Sequence, residues 1–331
     1  MIHTYKAKIS GTGMYVPDDI VTNEDMAKIV DTTDEWITTR TGMKERRKAP
    51  PEMAVSDMAY KAALNALDTA GLKPRHLDMI IIGSVTPDHA FPSTACILQK
   101  RLGVKGFPAL DISAGCPGWV YASDIARQYI ENGICEHVLT IGADTLTKIT
   151  NYTDRSTCVL VGDGAGATIL SRAEKSDISN FIDSNIGADG NHYELLIQEA
   201  GGSRNPATEQ TVRENKHTIF MEGNKIFKQA VKSMQYSCEI LLKRNNLSIN
   251  DIDFLIPHQA NQRIIDMLGR KLKIDSRRVI VNIQKYANTS AATIPMALDE
   301  AVRNNKIRRG DMVMMTSFGA GLTYGSLLFR F

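Results

Sequence analysis

Among the five cysteines of the chain, Cys116 stands in the setting that makes a thiol reactive. Residues 107–131 read FPALDISAGCPGWVYASDIARQYIE: an apolar strand pattern ends in Ser113-Ala114-Gly115, and a helical pattern begins just after Cys116, with Pro117 suited to the first helical position. At a helix N-terminus the dipole and the unpaired N–H groups favour the nucleophilic thiolate, and small neighbours leave room for a substrate. Cys96 and Cys238 fall in helical patterns, Cys158 in a strand pattern and Cys135 in a turn. The plainer alternative for Cys116 alone is a buried structural thiol. Two further positions change the weighing. Residues 252–262, IDFLIPHQANQ, deliver His258 at a strand end directly after Pro257, whereas the other six histidines sit in polar surroundings typical of surface loops. Residues 286–295, YANTSAATIP, open a helix-like stretch at Asn288 that Thr289 or Ser290 would cap. A lone His at a strand end reads as structural and a lone Asn before Thr-Ser as a cap; together with Cys116 they form the residue set of nucleophilic catalysis.

The elements that must position these residues follow from the pattern of the chain. Short apolar runs alternate with amphipathic stretches and brief Gly/Asn/Asp/Pro punctuation, which is an α/β pattern. The chain also repeats itself. Residues 64–82, LNALDTAGLKPRHLDMIII, parallel 239–257, EILLKRNNLSINDIDFLIP, with Leu72 opposite Leu247 and Asp78 opposite Asp253. Residues 129–144 parallel 302–319 with Val138 opposite Val313, so both pairs share an offset of 175 residues. The expected product is two similar layered α/β halves, 1–174 and 175–331, the first bearing the cysteine and the second the His and Asn. Asn288 lies 172 residues beyond Cys116, close to that offset, so pseudo-symmetry would bring the two together. Residues 188–217 read as a long irregular insertion, either a functional lid or a plain excursion.

Composition bounds the function. With 331 residues, 43% hydrophobic and 23% charged, the chain has ordinary globular usage. A net charge of +2 does not mark nucleic acid or membrane as the main partner, though it leaves room for a local basic patch. No apolar run approaches the roughly 20 residues of a membrane span, and MIHTYKAKIS lacks the core of a signal peptide, so a cytoplasmic location with reduced cysteines is expected. The cysteines are odd in number, widely separated and without CxxC spacing, which disfavours disulfides or zinc. The glycines of GDGAGA at 162–167 invite a dinucleotide reading, but Ala167-Thr168-Ile169-Leu170 continues as a strand instead of a helix, so neither NAD nor a P-loop is expected.

Across its whole length the sequence resembles the β-ketoacyl-acyl-carrier-protein synthase III family, initiating condensing enzymes of type II fatty-acid synthesis with the thiolase fold. The segments that carry the resemblance are DEWITTRTGMKERR, FPSTACILQ, DISAGCPGW, TDRSTCVLVGDGAGA, MEGNKIFK, IPHQANQRI, NTSAATIP and SFGAGLTYGSLLFRF. It implies an αβαβα sandwich and a catalytic triad of Cys116, His258 and Asn288 working by a ping-pong reaction. Cys116 takes an acyl group from an acyl-CoA primer; malonyl-acyl carrier protein then loses CO₂, and its enolate, stabilised by His258 and Asn288, attacks the acyl-cysteine. The backbone N–H groups of Cys116 and Ala320 would form the oxyanion hole for the tetrahedral intermediates.

The resemblance further implies CoA contacts by Thr32, Trp36, Arg40, Arg155 and Asn224, with adenine stacked on Trp36 and Arg40 on the phosphates. It implies carrier-protein contacts by Arg263 and Lys271, and a homodimer in which Phe91 closes the partner's acyl pocket. No cofactor is expected beyond CoA as part of the substrate. Pro117, Trp119, Ala287 and Ala320 stand where the family commonly has Ala or Ser, Phe, Gly and Gly; Trp119 and the 188–217 segment are expected to reshape the acyl pocket, and Ala287 and Ala320 matter where the backbone needs a positive φ. The alternatives are a relative serving a specialised pathway with another acceptor, a non-catalytic acyl-CoA or carrier-protein binding module, and a cysteine hydrolase.

Overall fold

The computed structural model describes residues 5–331; His3 and the rest of the first four residues lie outside them. The strands of the first part of the chain are Lys6–Tyr15 (β1), Asp19–Thr22 (β2), Glu45–Lys48 (β3), Met79–Gly83 (β4), Ala109–Ile112 (β5), His137–Thr145 (β6) and Asp163–Ala173 (β7). Those of the remainder are Asn180–Ala188 (β8), Leu196–Gln198 (β9), Ile219–Met221 (β10), Phe254–Pro257 (β11), Met312–Gly319 (β12) and Thr323–Arg330 (β13). Two main sheets result, ordered β1-β7-β6-β4-β5 and β11-β12-β13-β8.

Read from β1 and from β8, the two sheets follow the same plan. Two antiparallel pairings come first, β1·β7·β6 and β8·β13·β12, and then a parallel one, β6·β4 and β12·β11. The parallel β4·β5 pair has its counterpart in a single bridge between Leu255 and Val279. The repeated segments occupy matching places, since both copies of the first pair run from a helix through a turn into β4 or β11.

Helices fill three layers. Val55–Ala70 covers the outer face of the first sheet and Gly223–Arg244 that of the second, while Gly118–Glu131 and Thr293–Arg303 lie between the sheets and touch both. The sequence dictates this burial. Ile80, Ile81 and Ile82 are fully buried, the mark of a central parallel strand covered on both faces, and each such side chain contributes roughly 1.5–3 kcal/mol. One core cluster takes Met79 and Trp119 from the first part and Leu298, Met315 and Phe329 from the second, so the two sheets share a middle layer.

Several local expectations change. Cys158 ends a one-turn helix, Arg155–Cys158, because Asp154 caps the N–H of Ser156 and stops a strand from forming. Residues 188–217 are not structureless: they hold β9 and the helix Glu209–Arg213, capped by Thr208, and β9 pairs with β10 just beyond. His137 lies on β6, half-buried against the Ser171 hydroxyl, and is no surface-loop histidine. The GDGAGA glycines lead into β7.

Candidate active site

Cys116 lies two residues ahead of the helix Gly118–Glu131, whose apolar face (Trp119, Ala122, Ala126, Ile130) is buried at helical spacing. Gly118 allows that helix to start against the end of β4: a Cβ on Gly83 would strike its backbone. The turn carrying Ala320 packs equally closely, since a Cβ on Gly319 would sit 2.5 Å from the Cys116 nitrogen. The backbone N–H of Cys116 and the Ala320 turn are therefore neighbours, as an oxyanion pair requires.

His258 follows β11, with its N–H donating to the Thr316 carbonyl. Its side chain is buried and its Nδ1 lies 2.7 Å from the Thr293 hydroxyl. Thr293 also donates to the Ser290 carbonyl at 3.1 Å, and while it does so its oxygen accepts from an Nδ1–H. When it turns to Nδ1, the ring carries its proton on Nε2. Burial lowers the His258 pKa to about 3, which keeps the imidazole neutral near pH 7.

Asn288 is anchored by its backbone, its N–H donating to Leu160 and its carbonyl accepting from Gly162. Its side-chain Oδ1 accepts from the Ser290 N–H at 2.8 Å, which leaves the amide NH₂ free to donate elsewhere. The preceding Ala287 is held at φ 54°, a conformation that favours glycine, whereas Ala320 is not among the residues with positive φ.

Ser290 ties these groups together, and its role is absent from the sequence reading, which offered it with Thr289 as a helix cap. Neither hydroxyl caps the helix. Ser290 Oγ points to Cys116 Sγ at 3.7 Å and that of Thr289 to the Met296 sulfur. Ser290 itself sits at φ 52°. The Asn-Thr-Ser run carried no signal to separate a cap from a catalytic contact, because both begin with a hydroxyl at a helix start.

The thiol also departs from expectation. Burial, with the nearby Asp144 carboxylate adding to it, pushes the Cys116 pKa up to about 12, although Ser290 pulls the other way. The helix end alone therefore does not make a resting thiolate here; desolvation outweighs it.

Two cavities meet at Asn288. One, of about 200 Å³, is apolar and is lined by Cys116, Leu146, Leu160, Ile197 and Ile219 among others. The other, of about 620 Å³, is lined by Trp36, Arg40, Asn224, Arg263 and Asn288. The guanidinium carbons of Arg40 and Arg155 lie 4.6 and 5.0 Å from the centre of the Trp36 ring. The Thr32 hydroxyl is buried without a partner. Arg263 and Lys271 are exposed on the helix Gln262–Leu272, but only Arg263 lines the cavity; Lys271 lies ~12 Å further along the axis. His258 lines neither cavity and reaches the others through Thr293 and Ser290. Trp119 is fully buried with Nε1 on Thr168 and does not line the acyl-sized pocket; of the 188–217 segment β9 lines it, together with β10 just beyond. Phe91 is 86% exposed.

Residues 110–190 match the family model for 3-Oxoacyl-[acyl-carrier-protein (ACP)] synthase III, and residues 242–331 its C-terminal counterpart. The beta-ketoacyl-[acyl-carrier-protein] synthase III of Caldanaerobacter subterraneus subsp. tengcongensis is 52% identical over 100% of this chain and 99% of its own. The chain belongs to the 3-oxoacyl-[acyl-carrier-protein] synthase III family. It is thus an acyltransferase, an initiating condensing enzyme of fatty-acid synthesis. The crystal structure of the synthase III from Aquifex aeolicus VF5 shares 47% identity with a TM-score of 0.90, covering 98% of this chain and 100% of that one. The priming β-ketosynthase of the R1128 polyketide pathway is more distant, 30% identical with a TM-score of 0.90 over 99% of this chain and 97% of its own. These relatives share the thiolase-like fold described above. Among the described residues no helix is long and apolar enough to cross a membrane.

Proposed function

We propose that this condensing enzyme joins a short acyl-CoA primer to malonyl-acyl carrier protein through an acyl-cysteine on Cys116. The observation that carries the reading is the meeting of the two cavities at Asn288, beside Cys116. The wide one, between Trp36 and Arg263, suits a pantetheine arm ending in a nucleotide on one substrate and in a carrier protein on the other. The narrow one holds the acyl chain. At about 200 Å³ it is below the ~300–1,000 Å³ of drug-sized pockets, which favours a short chain.

Cys116 attacks the primer thioester, and the tetrahedral oxyanion is met by the N–H groups of Cys116 and Ala320, each donor worth on the order of 10²–10³ in rate. Coenzyme A leaves as its thiol. Malonyl-carrier protein enters by the same cavity, and as its carboxylate departs as CO₂ the enolate oxygen accepts from His258 Nε2–H and the Asn288 NH₂. A neutral imidazole is the useful donor, because it need not lose a charge to solvent. The bond between the enolate carbon and the acyl carbon forms as the Cys116–acyl bond breaks.

Thr32, Trp36, Arg40, Arg155 and Asn224 are assigned to CoA, and Arg263 with the more distant Lys271 to the acidic carrier protein. The exposure of Phe91 supports a homodimer in which it reaches the partner's pocket. The two halves, 1–174 and 175–331, work as one catalytic unit in the cytoplasm, and the chemistry needs no cofactor. Incubation with radiolabelled acetyl-CoA tests this: label on Cys116 and acetoacetyl-carrier protein only after malonyl-carrier protein is added is the expected result. A Cys116→Ala enzyme that still condenses would overturn it.

A further inference from the structure

Ser290 has no part in the steps above, yet it reaches all three residues that do. Its N–H donates to Asn288 Oδ1 at 2.8 Å, and its carbonyl accepts from the Thr293 hydroxyl, which lies 2.7 Å from His258 Nδ1. Its own hydroxyl donates to Cys116 Sγ at 3.7 Å. The residue is buried and lines the narrow cavity beside Cys116 and Asn288. Its backbone stands at φ 52°, a conformation that glycine tolerates and residues with a side chain seldom adopt. Strain of this kind persists where the surroundings over-determine it, and it concentrates at functional sites. Glycine would make both backbone bonds here without strain. The hydroxyl on the Cys116 sulfur is what the serine side chain adds.

The state of the thiol gives that contact a purpose. Burial pushes the Cys116 thiol up to about 12, with the Asp144 carboxylate adding to it, so the thiolate is scarce near pH 7. His258 offers no compensating charge, because burial keeps it neutral and its Nδ1 is engaged with Thr293. Among the described residues Ser290 has the one side chain that hydrogen-bonds the sulfur. An O–H that donates to a thiolate makes a charge-assisted bond, roughly twice as strong as the same O–H on a neutral thiol. The contact therefore favours each state in which the sulfur carries negative charge over those in which it does not.

We propose that the Ser290 hydroxyl is a catalytic hydrogen-bond donor to the Cys116 sulfur, stabilising the thiolate that attacks the primer and again the thiolate that leaves when the enolate takes the acyl group. The assignment rests on Cys116 being the nucleophile. In the first step the bond from the Cys116 sulfur to the acyl carbon forms as that carbon's bond to the coenzyme A sulfur breaks. The thiol proton, released to water, is regained from water by the departing coenzyme thiolate. In the second step the carbon–carbon bond forms as the Cys116–acyl bond breaks, and the freed sulfur takes a proton from water. Ser290 keeps its own proton throughout. One charge-assisted bond shifts the thiolate population by about tenfold, or one pKa unit. A thiolate of higher pKa is the better nucleophile, which returns about half of that on a logarithmic scale, so loss of the hydroxyl slows the attack ~3-fold.

The test compares the full-length wild type with Ser290→Ala and Ser290→Gly in three assays. These are iodoacetamide alkylation of Cys116 at fixed pH, read by peptide mass spectrometry, single-turnover transfer from labelled acetyl-CoA, and release of labelled CO₂ from malonyl-carrier protein. Both variants keep the backbone bonds to Asn288 and Thr293, and glycine also relieves the positive φ, so it folds even where alanine does not. Alkylation and acylation at saturating acetyl-CoA should each be ~3-fold slower in both variants. The half-saturating acetyl-CoA concentration stays the same, the mark of an interaction made only in the transition state, and CO₂ release is unchanged. With decarboxylation intact and condensation slowed, acetyl-carrier protein should accumulate beside acetoacetyl-carrier protein. A merely structural role would shift the half-saturating concentration or CO₂ release, and would separate the alanine variant from the glycine one. Alkylation at the wild-type rate in a folded variant overturns the proposal, as does a loss of CO₂ release equal to the loss of acylation. A wild type that alkylates faster than both variants but never carries an acyl group from acetyl-CoA refutes the nucleophile reading and leaves the contact between hydroxyl and thiolate standing.

Discussion

Replacing Gly319 by alanine isolates the fit between the two halves at the reacting atom. Gly319 is extended, with φ −165° and ψ −165°, so alanine brings no backbone strain. What it brings is a methyl group 2.5 Å from the Cys116 nitrogen and 2.8 Å from Pro117 Cδ. Ordinary contact begins near 3.4 Å, so the Cys116 peptide and the Ala320 turn must separate by about 0.9 Å. A misplacement of ~1 Å costs on the order of 10²-fold, which matches the loss of one oxyanion donor and corresponds to ~2.7 kcal/mol in the barrier. Single-turnover transfer from labelled acetyl-CoA to Cys116 measures this directly, with circular dichroism and a thermal melt to show that the variant is folded. The expected result is a folded Gly319→Ala protein acylated ~100-fold more slowly. A folded variant acylated at the wild-type rate would refute the placement of the oxyanion pair.

Other consequences follow from single residues. His258 is neutral in the fold with a pKa lowered to about 3, while the unfolded chain takes up a proton near pH 6.5; its contribution is therefore whole above pH 6.5 and falls away between pH 6.5 and 3. Urea unfolding at pH 7 and pH 4.5 should differ by up to ~2.7 kcal/mol more in the wild type than in His258→Asn. Ala287→Gly, at φ 54°, relieves a conformation costing ~1–3 kcal/mol and restores ~0.5–1 of that as glycine entropy, so it should raise the free energy of urea unfolding by a net ~1 kcal/mol. Trp119→Phe removes the bond to Thr168 and should cost ~1–2 kcal/mol in the same assay, while the preference among acetyl, isobutyryl and longer CoA primers stays as it was, because Trp119 lies outside the pocket.

What could be read from the sequence was whatever depends on pattern. The repeat at an offset of 175 foresaw two sheets of one plan, because helix-turn-strand units advertise themselves by periodicity and turn residues. Cys116, His258 and Asn288 each stood at an element boundary, where side chains are free to face a site. Tertiary proximity had no such signature. The reach of Ser290 to the thiol, the burial of Asp144 at the end of β6, and the burial of Trp119 in the shared middle layer outside the pocket all arise where segments far apart in sequence meet. The helix start is visible in GCPGW, but the burial that opposes ionisation of the thiol is not, because it depends on tertiary packing. Cys158 shows a local failure, since Asp154 capped a single turn in a run of strand-forming residues.

The central claim, that one half supplies the nucleophile and the other the enolate donors, separates into two half-reactions. Release of labelled CO₂ from malonyl-carrier protein should survive Cys116→Ala and be lost in His258→Ala and Asn288→Ala, while acyl transfer to Cys116 should survive in both of the latter. Normal decarboxylation by either the His258 or the Asn288 variant would contradict the account.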